Sequence, residues 1–458
     1  MLFPFFRSKH YSHFIKNHPA YRNTHIIDKL RRTEYKRLDK KGYTYLDYAA
    51  GSLYADRQIK SHLKLLKTYT FGNVNANSSP SLSATRLVKE TRALVLDFFN
   101  ATDNYYCIFT PNVAEALKMV GEAYPFNEDA FLLLSSDNHN SVNKIGEFAK
   151  NAGASYTCSP LQKESLFIEE KKLIQNLDGH QYKRNKLFAF PAQSNASGVK
   201  HSLEYVAMAK QRGWDVLLDT ASFVSTNKLD LQLVQPDFAT VSFYKIFGYP
   251  TGLGCLLVKK EMFNKMNKPE HAIGKSSIST ASVQTHFFKE DYERFEDGTV
   301  SYLDIPAVKE GLKHMHKIGM DTVCSRVQML TSWLYHKLVE LKHNSGTPLL
   351  HIFGTTDLSR RGGTLAMHFY NKDGKRYPLI EIEAEANVYK IALRTGCFGN
   401  PGVEEVNSEL SDGLANENYE MRNENRKFSG SIRISLGIAS NFKDVVTFYN
   451  FAKGFLNR

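Results

Sequence analysis

The chain has 458 residues, 42% apolar, 23% charged and 12% aromatic, a globular composition that excludes disordered and fibrous classes. No stretch approaches the ~18 consecutive apolar residues of a membrane helix, and the apolar start Met1-Leu-Phe-Pro-Phe-Phe is too short for a secretory signal. The net charge is +12, yet residues 1–41 hold 11 Lys/Arg against 3 Asp/Glu, so the basic excess sits in an N-terminal arm and the body is nearly balanced. A body without a basic, aromatic-interleaved face argues against nucleic acid as partner, and nothing points to a membrane.

The arm, residues 1–42, reads as solvated helix packed on the body. From 43 to 300, short apolar runs alternate with amphipathic segments, the rhythm of an α/β fold with a mostly parallel sheet covered on both faces. The helix Ala84–Phe99 puts Leu87, Val88, Leu94, Val95, Phe98 and Phe99 on one stripe. Strands are expected at Phe131–Ser135, Lys186–Pro191, Val216–Asp219, Phe238–Ser242 and Gly254–Val258, and a helix at Ser202–Arg212, before Gly213. Residues 301–458 form a smaller α+β part. It opens with helices Ile305–Ile318 and Asp321–Leu341, and its polar stretch 403–430 reads as a surface loop. The cysteines Cys107, Cys158, Cys255, Cys324 and Cys397 are scattered without C-x-x-C or zinc spacing. That pattern points to reduced thiols in a cytoplasmic protein, without a bound metal.

The chemistry gathers at strand ends. Lys245 directly follows an apolar strand and precedes a Gly/Pro-rich turn, placing it at the carboxyl edge where open α/β sheets bind ligands. Upstream, Val216-Leu-Leu-Asp219 delivers a carboxylate to a neighbouring strand end, followed by the small residues Thr220-Ala221-Ser222. Pro191-Ala-Gln-Ser-Asn195 ends another strand in hydrogen-bonding side chains. A lysine for an imine, a carboxylate for a pyridinium and an amide for a phenolic oxygen together describe a pyridoxal phosphate site.

These segments resemble fold-type I pyridoxal phosphate enzymes of the class V aminotransferase/cysteine desulfurase group, most of all the N-terminal domain of molybdenum cofactor sulfurases. The matching motifs are Tyr45-Leu-Asp-Tyr-Ala-Ala-Gly51, Pro191-Ala-Gln-Ser-Asn-Ala-Ser-Gly198, Leu217-Leu-Asp-Thr-Ala-Ser222, Ser242-Phe-Tyr-Lys-Ile-Phe-Gly248, Arg294-Phe-Glu-Asp-Gly-Thr299, Arg394-Thr-Gly-Cys-Phe398 and Ser431-Ile-Arg-Ile-Ser435. The molybdenum-binding domain of full-length sulfurases has no counterpart, and the chain ends where it would begin. The resemblance implies a fold-type I transferase, with residues 43–300 holding the cofactor and 301–458 as the small domain.

It also implies roles. Lys245 is the imine lysine and Asp219 the partner of the ring nitrogen. Asn195 contacts the phenolic oxygen, and His139 lies over the ring. Asn112, Val113, Ser222 and Ser242 complete the cofactor site, and Thr299 reaches the phosphate of a second subunit, making a homodimer. Arg433 grips the α-carboxylate of an amino-acid substrate, with Arg394 a second substrate contact.

One position departs from the pattern. Desulfurases of this group carry the sulfur-accepting cysteine in Arg-Thr-Gly-x-x-Cys, whereas this chain reads Arg394-Thr-Gly-Cys-Phe-Gly399. Glycine holds no sulfur, and Cys397 stands two residues earlier. The leading expectation is therefore lyase or transferase chemistry on an amino acid without a persulfide. The alternatives are a desulfurase or sulfur transferase using Cys397, and an inactive binding module. Gly399→Cys would restore the segment with one side chain. A second departure falls at His271-Ala-Ile-Gly-Lys-Ser-Ser277, where the group carries a glycine run.

Overall fold

The computed structural model describes residues 9–267, 276–279, 286–288, 291–407 and 430–458. Seven strands form the central sheet: β1 (Tyr105–Thr110), β2 (Ala130–Ser135), β3 (Ser155–Ser159), β4 (Asn185–Pro191), β5 (Asp215–Asp219), β6 (Phe238–Ser242) and β7 (Gly254–Lys259). Their order is β1-β7-β6-β5-β4-β2-β3, with β7 alone running antiparallel to its neighbours. Alternate residues feed opposite faces. Leu132, Leu134, Leu187, Ala189 and Leu217 pack with the helix Val113–Ala123, whereas Phe131, Leu133, Phe188, Phe190 and Leu218 enter the larger core on the other side. Both faces are dry, which is why these strands read as unbroken apolar runs.

The five expected strands and the helix Ile305–Ile318 are present within a residue of their expected limits. The other helices run Ser79–Phe98, Glu204–Lys210 and Met320–Val339. β1 and β3 were not read from the sequence. β3 is a sheet edge, and of its residues only Ser159 is buried, so it lacks the apolar run that marks a strand. A second, antiparallel sheet is built from β8 (Leu350–Ile352), β9 (Thr364–Phe369), β10 (Arg394–Gly396) and β11 (Ser431–Ser435) in the order β8-β9-β11-β10. The stretch read as a loop at 403–430 opens as helix Pro401–Asn407. Residues 408–429 and the segment His271–Lys275 lie outside the described residues.

The arm closes back on the C-terminal part. Phe14 stacks on Phe442 with ring centroids 4.4 Å apart. Arg31, fully buried, donates to Asp444 at 2.9 Å and to Asp39 at 3.0 Å, and Arg326 reaches Thr24 Oγ1 at 3.0 Å and also Asp28. Of these pairs only Arg31–Asp444 is buried on both sides, and removing one of its members costs about 3–5 kcal/mol, because the other charge stays buried without that partner. The arm is thus structural, with its unpaired lysines facing solvent.

Candidate active site

Four neighbouring parallel strands, β2, β4, β5 and β6, end at one edge of the sheet, and each delivers polar groups there. Asp219 closes β5. Its Oδ1 accepts from Thr240 Oγ1 at 2.9 Å and from the Ala221 amide at 3.0 Å. Thr240 is oriented in turn, since its carbonyl accepts from Thr220 Oγ1 at 2.6 Å. Oδ2 has no hydrogen-bond partner among the described residues. Lys245 is the third residue of the short helix Phe243–Phe247 that follows β6, with no hydrogen bond or ion pair among the described residues. Burial pushes its ammonium pKa down, Asp219 opposes this, and Arg433 and Arg394 push it further down. The neutral, nucleophilic amine is thereby favoured.

His139 caps the turn Asn140–Asn143. Its Nδ1 accepts from the Ser141 amide at 3.1 Å, which assigns the ring proton to Nε2. Burial lowers its pKa and the nearby Lys245 and Arg433 add to this, while Asp219 acts against it, so the neutral ring is favoured.

Arg433, on β11, donates from Nη1 to the Asn195 carbonyl at 2.8 Å and from Nη2 to Asp47 Oδ1 at 3.1 Å. Its Nε is buried and has no hydrogen-bond partner among the described residues. Arg394 on β10 is its cross-strand neighbour; it is exposed and has no ion pair among the described residues.

The turn Cys397–Asn400 is docked into this cleft. The Asn400 amide donates to the Cys397 carbonyl at 3.0 Å, and Phe398 and Gly399 have φ of +56° and +66°, the signs of a type I′ turn. A left-handed phenylalanine is an outlier that its surroundings must hold in place. They do so in several ways. Phe398 O accepts from Asn195 Nδ2 at 2.8 Å, and Gly399 O accepts from the Asn140 amide at 2.7 Å. The Phe398 ring lies 4.5 Å from the Arg433 guanidinium. Asn400, fully buried, donates to Asp137 Oδ1 at 2.7 Å and to Asn195 Oδ1 at 3.1 Å. Asp137 also accepts from Ser194 Oγ and His201 Nε2, each at 2.7 Å.

Sequence reasoning missed this buried hub of Asp137, Ser194, His201 and Asn400. Polar residues just after the apolar run Leu132–Ser135 were the available signal. With the turn docked, both ends of the Asn195 side chain are engaged. Asn195, the amide expected at a phenolic oxygen, also bonds the turn through its side chain and Arg433 through its carbonyl. The expected two-pronged fork of Arg433 is likewise partly taken up by Asp47.

Gly399 faces His139. A Cβ built there would lie 2.8 Å from His139 Nε2, and its φ suits only glycine without strain. Gly399→Cys therefore does more than restore a motif, because it displaces the imidazole. Cys397 is exposed, and its thiol pKa is raised by burial of the sulfur and by the Glu404 carboxylate. The described charges acting on it do not include those of the Lys245 cluster.

A cofactor of the expected kind fits these donors. Asp219 Oδ2, Lys245 Nζ and Arg433 Nε are all unspent. At the other end, Asn112 caps Val113–Ala123 by accepting from the Glu115 amide at 3.0 Å, which leaves the first-turn amides of Val113 and Ala114 for an anion. Gly254 pairs with Ser242, and a Cβ there would meet Val241 O at 2.7 Å and Asn112 C at 3.2 Å. Glycine thus lets the Asn112 loop lie against the Ser242 strand end. Ser242 and Ser222 are buried beside this edge. Thr299 is exposed and lines, with Thr110, Pro111 and Glu115, a cavity of about 490 Å³. Its segment is anchored by the buried Arg92–Glu296 pair at 2.7 Å. Among the described residues no cluster of His, Cys, Asp or Glu is arranged to hold a metal, and no helix is long and apolar enough to cross a membrane.

The model of the class-V aminotransferase family matches residues 44–448, and the chain belongs to that family, an enzyme family whose cofactor is pyridoxal 5′-phosphate. It is 34% identical over 471 residues to the molybdenum cofactor sulfurase of Solanum lycopersicum, covering 93% of this chain and 57% of the relative. It is 30% identical over 455 residues to that of Homo sapiens, covering 93% and 51%. The chain thus spans about half the length of the curated relatives it matches. Among solved structures, it resembles a cysteine desulfurase of Thermococcus onnurineus with TM-score 0.79 at 21% identity, covering 94% of this chain and 98% of the other. It also resembles the Escherichia coli cysteine desulfurase CsdA with TM-score 0.75 at 19% identity, covering 94% and 99%. These confirm a fold-type I α/β architecture. The relatives' names favour sulfur transfer over the sulfur-free chemistry that Gly399 suggested.

Proposed function

We propose that this chain is a pyridoxal phosphate-dependent sulfur transferase that takes sulfur from L-cysteine and leaves alanine. One observation carries the reading: at the strand edge Lys245, without a partner among the described residues, the half-spent Asp219 carboxylate, His139 with its pKa lowered and the buried Arg433 lie within electrostatic reach of one another beside the Cys397–Asn400 turn. An inactive binding module has no use for that constellation. The bound cofactor supplies an electron sink that acidifies the substrate Cα and weakens its Cβ–S bond. This chain's residues do the rest. Arg433 holds the α-carboxylate through charge-assisted hydrogen bonds, and Lys245 Nζ, freed from the cofactor, moves the Cα proton. Asp219 keeps the ring nitrogen protonated by charge proximity. His139 presents its Nε2 proton toward the Gly399 turn. Val113, Ala114 and Ser242 bind the phosphate, and Thr299, exposed beside Thr110 and Glu115, is the residue that by family resemblance reaches the phosphate of a second copy in a homodimer. The cofactor part is residues 43–300, with 301–458 closing over it.

The test is incubation of the holoenzyme with a panel of amino acids, reading alanine, sulfane sulfur, pyruvate and ammonia together. Cysteine is expected to give alanine and sulfane sulfur in equal amounts, and Lys245→Ala to lose both together with the borohydride-reducible cofactor adduct. Pyruvate and ammonia without sulfane sulfur would instead establish the lyase reading that the missing side chain at 399 favours. Turnover only of amino acids without sulfur would refute sulfur transfer.

A further inference from the structure

Arg394 and Arg433 are direct cross-strand partners on β10 and β11, so their side chains leave the same face of the sheet. Like charges so placed repel, and only one of them is compensated: Arg433 has Asp47 at 3.1 Å, whereas Arg394 has no acidic partner among the described residues. It stands exposed beside the docked turn and its field reaches Lys245, Tyr45 and Tyr244. The turn itself offers no acceptor to the cleft. Gly399 faces His139 without a side chain, and Cys397 is exposed on a turn whose backbone is fixed by Asn195, Asn140 and Asn400. The glycine at the acceptor position and a cation with no acidic partner among the described residues thus occur side by side.

Resting on the sulfur-transfer reading above, we propose that the acceptor is a separate low-molecular-weight thiol bearing a carboxylate, which docks on Arg394 next to the Phe398–Gly399 turn. Its thiolate attacks the sulfur of the bound cysteine. An S–S bond forms as the Cβ–S bond breaks, and the electron pair stays with Cβ, which gains a proton. Cysteine plus thiol thereby becomes alanine plus the persulfide of that thiol. The oxidation of sulfur is matched by reduction of Cβ, so no external oxidant is required. The positive field of Arg394 favours the attacking thiolate as well as the carboxylate.

The test compares 3-mercaptopropionate, 2-mercaptoethanol and cysteamine as acceptors for the holoenzyme, with cysteine held limiting so that it competes little as acceptor. We expect alanine release to depend on added thiol, sulfane sulfur to appear on the small thiol, and kcat/KM to favour 3-mercaptopropionate over 2-mercaptoethanol by about tenfold, as a charge-assisted contact allows. Arg394→Gln should bring that ratio to about one. In cofactor-free protein, saturation-transfer NMR should show 3-mercaptopropionate bound, and Arg394→Gln should remove the signal. Alanine formed at a thiol-independent rate, with one added sulfur on Cys397, would overturn this proposal while leaving sulfur transfer standing, as would equal kcat/KM for all three thiols. No alanine with any acceptor would remove both.

Discussion

Gly399→Cys places the sulfur question and the backbone in direct conflict, and the structure sets the scale. A side chain at φ +66° costs roughly 1–2 kcal/mol of left-handed strain. The new Cβ would sit 2.8 Å from His139 Nε2, so the ring must turn away and lose its two bonds at 3.1 Å to the Ser141 amide and hydroxyl, about 1 kcal/mol each. The total of about 3–4 kcal/mol loosens the docked turn by a factor on the order of 10²–10³. Hydrogen exchange reads this locally. The Asn140 amide, bonded to Gly399 O, and the Asn400 amide, bonded to Cys397 O, are expected to exchange faster by that factor, while the Leu133 amide in the core of β2 keeps its protection. The introduced thiol should also carry one added sulfur after incubation with cysteine, read by mass. Unchanged exchange at Asn140 and Asn400 would show that His139 and Gly399 are not packed as described.

Asp219→Asn keeps the bonds from Thr240 and Ala221 but removes the charge. Turnover is expected to fall by several orders of magnitude with little change in melting temperature, and near-normal turnover would remove its role at the ring nitrogen. Thr240→Val loses one 2.9 Å bond and should cost far less, about tenfold, with the cofactor absorbance shifted. His314 is buried against the Tyr35 hydroxyl at 2.9 Å, and burial pushes its pKa down to about 4. The unfolded chain takes up this proton near 6.5 and the folded chain only near 4, so stability falls as pH drops through that window, by about 3 kcal/mol from this group. His314→Gln should flatten the pH dependence of the urea midpoint between 6.5 and 4 by about one proton. An unchanged slope would show that His314 is protonated in the folded protein.

Local sequence pattern marks the sheet interior and its chemical edge. β2, β4, β5, β6 and β7 are buried on both faces, so they read as mostly apolar runs that give way to polar residues at the carboxyl edge. That is why Asp219 and Lys245 were legible before any coordinates. Tertiary structure decided what depends on partners distant in the chain. The arm became structural through Arg31 and Asp444, 413 residues apart, a pairing no local pattern encodes. β3 showed too little apolar content to announce itself at an exposed edge. The turn Cys397–Asn400, held by a carboxylate from the end of β2 and an amide from the end of β4, engages the Asn195 side chain and stacks Phe398 on Arg433. Motif spacing shows that glycine stands at 399. Only the fold shows that His139 occupies the space beside it, because the left-handed backbone and the imidazole meet there across more than 250 residues of intervening chain.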